Sequence, residues 1–252
     1  MSSVMGLTNL VKTATLTASS EVTGFLKENA ATWKLSSWWS FTTTGATLIV
    51  DLGSAQSIDC MGLSGINCAA VSCSIKLQSS TTGAWAGEEV DRIAAYTPSA
   101  DVTQFKTFTS ASARYWRFVF ASNTAQVFIA NVFLGAMLEL QHGMIPNFSP
   151  ANLNREREIF NNNSQGGNFL GSAVMYNAAK ITIEQEYVTR TWIDANWLTV
   201  ADHIELYPFY FAWDTVNYPN EVAYCKAKKI NYPEYMDPFN MRFSLECGAY
   251  YD

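Results

Sequence analysis

Histidine is almost missing from this chain of 252 residues. His142 and His203 are the only two, so catalytic triads and multi-histidine metal sites have very little to be built from. Charge is sparse as well: charged residues make up 15% of the chain against 48% hydrophobic, too little polarity for a disordered chain or a heavily solvated exterior. That balance points to surface hidden in an assembly. The net charge of −6 comes without any basic cluster, which argues against nucleic acid as a partner. No run of about 18 apolar residues occurs, and the opening residues lack the charged-then-apolar plan of a leader. A soluble protein made in the cytosol, with no membrane insertion, is therefore expected. Five cysteines, Cys60, Cys68, Cys73, Cys225 and Cys247, are odd in number and irregular in spacing, so they read as reduced, mostly buried thiols and not as a disulfide framework. Cys68 and Cys73 alone do not make the four-ligand set of a structural metal, and no metal site is expected. Gly166-Gly167 lacks a preceding strand and a following Lys-Ser or Lys-Thr, which removes a phosphate loop. With 22 acidic residues, some carboxyl pair always suits a glycosidase; no catalytic residue is assigned and the chain is not expected to be an enzyme.

What is present is β pattern and aromatic rings. Short apolar runs separated by Ser, Thr and Gly turns, at Thr47–Leu52, Ser74–Gln78, Tyr115–Phe120 and Val127–Phe133, predict an antiparallel β-sandwich over residues 1–136. Ile75 and Leu77 alternate with Ser74, Lys76 and Gln78, so that strand has one wet face. Tyr115–Phe120 is apolar on both faces apart from Arg117 and is expected to be central. Pro146 and Pro150 mark a boundary, after which residues 137–252 predict a second β-rich domain. In it, Asn161–Asn168 reads as an exposed polar loop. Period-2 alternation returns at Lys180–Val188. A helix is predicted near 190–201, opened by Thr191 with Asp194 in a capping arrangement, and strands follow at Ile204–Trp213, Glu221–Lys228 and Met241–Tyr250. Pro208 should place the first of these at an edge or bulge, and Cys247 should face the core. The fold class is all-β in the main, with one or two helices.

Aromatics reach 14%, with eight Trp and twelve Tyr; they suit either interfaces or an aromatic-rich sheet. Trp33-Lys-Leu-Ser-Ser-Trp38-Trp39-Ser-Phe41 is the most unusual segment. Its indoles can stack on sugar rings or dock in a partner's groove, or one of them can plug the end of the sandwich. The binding candidates are Trp33, Trp38, Trp39 and Trp85.

Four segments, Ala14–Glu21, Trp38–Phe41, Leu48–Gly53 and Ala113–Phe118, stand in the order found in the discoidin, or coagulation-factor-5/8 type C, domains, and residues 10–135 resemble that family. The resemblance implies a galactose-binding-like jelly roll of eight antiparallel strands, whose end loops bind glycans, lipid heads or protein surfaces, often beside a calcium ion. Here those loops are the regions around Glu21–Trp39 and Trp85–Tyr96. The family's galactose binders use a loop histidine, and this half has none, which favours docking to protein. The second half, with Ser149–Glu156, the helix carrying Trp192 and Trp197, and the closing strand Met241–Gly248, resembles a minor or distal tail protein of long-tailed bacteriophages. That resemblance implies a virion component near the tail tip or baseplate, assembled in the host cytoplasm. It also implies a homo-oligomeric ring contacting the tail tube, hub, tape measure and fibres, with a host-surface glycan as a further contact. A stand-alone carbohydrate-binding module is the alternative, and a cell-wall hydrolase a third reading. Beyond the calcium that the resemblance allows, no cofactor is expected.

Overall fold

The computed structural model describes residues 3–42, 45–146 and 148–250. Fourteen strands fall into two seven-stranded sheets. The first contains β2 (Thr15–Ala18), β3 (Trp39–Phe41), β4 (Ala46–Ile66), β5 (Ser74–Ser80), β6 (Val90–Tyr96), β7 (Gln104–Ala121) and β8 (Val127–Gly135), in the order β3-β8-β4-β7-β5-β6 with β2 also paired to β4. β4 pairs with β2 through Leu48–Asp51 and with β8 through Cys60–Ile66. Register breaks against β7 between Asp51 and Gln56 and between Ile58 and Cys60 let one long strand serve both layers of the sandwich. Inward positions Leu48, Val50, Trp116, Phe118 and Phe120 alternate with half-exposed ones, the period-2 pattern that buries one face. They fill one core together with Trp39, Phe41 and Ile129.

Arg114 ties the bend of β4 to β7. Its Nε and Nη2 donate to the two carboxylate oxygens of Asp51 at 2.7 and 2.8 Å, and the Gly53 amide donates to the same carboxylate at 2.8 Å from a turn with φ +75°. The guanidinium, followed by that amide, holds the Asp51 carboxyl at about 2. A carboxyl whose pKa falls on folding stabilises the fold above its unfolded pKa, and that contribution disappears as pH drops through the folded value. Stability is therefore expected to fall between about pH 4 and about pH 2. Urea midpoints of Arg114→Gln should show a shallower loss in that window, and a modest one because the pair is partly solvated.

The second sheet runs β10-β11-β14-β13-β12-β1-β9, formed by β1 (Val4–Gly6), β9 (Met137–Glu139), β10 (Arg155–Asn163), β11 (Phe169–Thr189), β12 (Phe209–Ala212), β13 (Val222–Tyr235) and β14 (Asn240–Tyr250). The chain thus crosses the division expected at residue 136 at its very start: Val4, Met5 and Gly6 pair with Ala212, Phe211 and Tyr210 on one side and with β9 on the other. The helix α1 (Arg190–Leu206) is capped by Thr189, whose hydroxyl accepts from the Trp192 amide at 3.3 Å; the expected cap, Thr191, lies inside it. It buries Ile193, Trp197, Val200, Ala201 and Ile204 against the sheet. It also runs five residues further than predicted, so the strand expected from Ile204 begins only at Phe209. Pro208 sits just ahead of β12, which is interior to the sheet and not an edge. β10 and β11 are the other departure. Asn161–Asn163, expected in the exposed loop, belong to β10, Ser164–Asn168 remain the turn, and the long hairpin leaves Phe160, Phe169, Leu170 and Met175 exposed.

A third apolar cluster joins the sheets: Val4, Cys60, Phe105, Phe133, Tyr210, Ala212, Val222 and Tyr224. Tyr210 lies over Gly62, where a Cβ would come within 2.7 Å of the ring. Its hydroxyl donates to Asn131 Oδ1 at 2.8 Å, and Asn131 Nδ2 donates to the Thr32 carbonyl at 2.5 Å. This buried relay fixes the loop that carries Trp33.

Candidate functional site

The four candidate indoles occupy four different environments. Trp39 is fully buried. It packs 4.8 Å from Phe41 and 5.6 Å from Phe120, with Nε1 donating to the Ser20 carbonyl at 3.1 Å. It is the plug of the sandwich and presents no surface to a ligand, which corrects its place among the binding residues. Trp38 is half-buried, with one face stacked on Phe25 at 5.3 Å and Phe128 tilted against it at 6.0 Å. Trp85 is covered by Arg117, whose guanidinium lies 4.2 Å from the ring centre and donates to Gln78 Oε1. Its loop is closed by Glu88, which accepts from the Ser80 hydroxyl and from the Thr82 amide and hydroxyl, both at 2.9 Å. These bonds, the Ser80 hydroxyl first, hold the Glu88 carboxyl below its usual range. Trp85 is thereby committed to its own loop.

Trp33 differs because it walls a cleft. It follows the 3-10 turn Lys27–Ala31 and is packed 6.0 Å from Tyr207 and 6.5 Å from Tyr224, with His203 edge-on at 5.5 Å. Its carbonyl accepts from the Tyr224 hydroxyl at 2.8 Å, so the indole is held by side chains of the second sheet as well as by its own loop. A cleft of about 460 Å³ opens beside it, lined by Lys12, Leu16, Glu28, Thr32 and Lys34 among others. The Lys12 ammonium stands 4.6 Å over the Tyr207 ring, and Glu28 pairs with Lys27 at 3.0 Å. The cleft therefore combines a flat aromatic wall, an apolar floor and two lysines at its rim. Of its residues only Trp33 was singled out in the sequence. Lys12 carries no local signal, Lys34 lies in the Trp33–Phe41 segment without being a candidate itself, and His203, Tyr207 and Tyr224 reach Trp33 from 170 positions or more away.

The groups that would serve nucleophilic chemistry are spent on structure. All five cysteines are free and buried. Burial pushes the thiols of Cys60, Cys225 and Cys247 up, while Cys73 is drawn down by its contact with Cys68. Burial lowers the His203 pKa, and its Nε2 donates to the Pro208 carbonyl at 2.9 Å. His142 faces the Tyr187 carbonyl at 3.0 Å. Among the described residues no group of three or more His, Cys, Asp or Glu side chains is placed around one point. In the first half Asp51 is held by Arg114, and Asp101 accepts from the amides of Ala69 and Ala70 at 2.6 and 3.2 Å.

No protein-family model and no curated protein matches the chain. Solved structures do. Chitosan-binding module 1 of a chitosanase/glucanase from Paenibacillus sp. IK-5 is similar over 51% of this chain and 99% of its own, at 22% identity and a TM-score of 0.45. A CBM32 module from Clostridium perfringens, in complex with GalNAc-β-1,3-galactose, is similar over 51% and 100%, at 17% identity and a TM-score of 0.44. A pectin-binding carbohydrate-binding module is similar over 48% and 89%, at 15% identity and a TM-score of 0.41. With these, the reading as a phage tail-tip or baseplate component is corrected: the structures just named are carbohydrate-binding modules, not tail proteins. The features that suggested a tail protein have a local explanation. Trp192 stacks on Phe243 at 6.1 Å and Trp197 packs on the same ring at 4.7 Å, so helix and closing strand complete the second core of this chain.

Proposed function

We propose that the protein binds carbohydrate without turning it over, and that the Trp33 cleft is where the sugar sits. The observation that carries this reading is the pairing of an indole wall with Lys12, Lys34 and Thr32 around one concavity. A pyranose has an apolar C–H face that packs on an aromatic ring, and hydroxyls that need directional polar partners at its rim. At about 460 Å³ the cleft lies within the range of about 300–1,000 Å³ usual for small-ligand sites. The ring is pre-positioned by Tyr224 and by the Asn131 relay, which reduces the ordering cost of binding.

The test is a glycan screen on the full chain, followed by calorimetric titration of variants. Trp33→Ala is expected to weaken binding about thirtyfold, the effect of truncating a central aromatic anchor. Trp38→Ala and Trp85→Ala should stay within about threefold. Because Trp33 also packs against the second sheet, Lys34→Ala at the exposed rim serves as the milder companion. Wild-type affinity in both Trp33→Ala and Lys34→Ala, each shown folded by circular dichroism, would overturn the assignment.

A further inference from the structure

Trp33 borders two cavities, not one. The second, about 350 Å³, runs along the other sheet and is lined by Leu35, Tyr224, Lys226, Lys228 and Tyr250 among others. Tyr224, Lys226 and Lys228 come from β13, so this cavity belongs to the second half of the chain, while the first cleft belongs to the loops of the sandwich. Lys226 is anchored at the end of α1, its Nζ donating to the carbonyls of Ile204 and Glu205 at 2.9 and 2.8 Å. Lys228 lies across Gly248, where a Cβ would come within 2.8 Å of its Cε; the glycine leaves room for the lysine stem. Its ammonium meets Glu156 at 3.2 Å in a solvent-exposed pair.

The charge of the two linings stands against that of the molecule. The chain carries −6 overall, yet Lys12, Lys34, Lys226 and Lys228 line the two cavities with Glu28 as the one carboxylate among the lining residues, and Glu28 is already paired with Lys27. Ammonium groups gathered around a concavity raise the local concentration of anions. They make their stronger hydrogen bonds to ionised oxygens.

We propose that the ligand is an anionic glycan chain lying across Trp33, with acidic groups meeting Lys12 and Lys34 on one side and Lys226 and Lys228 on the other, so that both halves of the chain build one site. This rests on the glycan reading of the Trp33 cleft. The test is calorimetric titration of the full chain with hexagalacturonate, with the same oligosaccharide after carboxyl reduction, and with a sulphated oligosaccharide of equal length. Either acidic probe is expected to bind at least about tenfold more tightly than the neutral one, with affinity falling as salt screens the charges. Lys34→Gln and Lys228→Gln should each weaken acidic-probe binding about three- to fivefold, the size of a solvent-exposed ion pair. Equal affinity for acidic and neutral probes, sensitive to Trp33→Ala, would overturn the charge inference and leave glycan binding standing. Loss in Lys34→Gln but none in Lys228→Gln would overturn the shared site. No binding of any probe, in a chain shown folded, would overturn both readings.

Discussion

Trp39→Ala is expected to lower the unfolding free energy by about 3–5 kcal/mol, the range for truncating a large buried aromatic. The indole has no accessible surface, sits against Phe41 and Phe120, and holds the Ser20 carbonyl with its ring N–H. Removing it leaves a void in a closed sandwich that can relax only in part, and a carbonyl without its donor. Urea denaturation followed by fluorescence of the remaining tryptophans measures the loss. Glycan affinity of the folded fraction should stay unchanged. An affinity loss with no loss of stability would put Trp39 on the ligand surface and contradict the packing.

Asn131→Ala is the second large effect, expected at about 3 kcal/mol, because one fully buried amide serves the buried Tyr210 hydroxyl and the half-buried Thr32 carbonyl on different elements. Its loss removes the acceptor of the Tyr210 hydroxyl and the donor to the Thr32 carbonyl together. Tyr210→Phe alone should cost about 1–2 kcal/mol, and the double variant should cost less than the sum, since both changes break the same relay. Strict additivity in the urea series would mean that the two side chains act independently. Because Thr32 precedes Trp33, the Asn131 variant should also weaken ligand binding, through looser placement of an indole it does not touch.

The sandwich was legible where alternation marked a buried face. Ile75 and Leu77 turn inward as the alternation implied, although Gln78, expected on the wet face, is buried too, and Cys247 faces the core in the last strand as expected. β1 was not legible: three residues buried on both faces show no period, and their partners lie about two hundred positions away. β10 failed for a different reason. Arg155–Asn163 buries almost nothing, so its strand form comes from pairing with β11, and its own side chains do not announce it. Of the site, an unusual density of tryptophan could be read, but not which indole faces a ligand. Trp38 and Trp39 are neighbours in sequence on opposite sides of that question. The answer for Trp33 came from Tyr207, Tyr224 and Lys12, which only the folded chain brings near.

The place of β1 has a consequence for synthesis. Val4–Gly6 leave the ribosome about two hundred residues ahead of one of their two neighbours, Phe209–Ala212. At about 5–20 residues per second the leading strand waits roughly 10–40 s for that neighbour. During that time the sandwich between them has all its own strands and can close, whereas the second sheet cannot. Nascent chains of increasing length should therefore become protease-resistant in two steps, the sandwich well before the sheet that holds β1 and β12.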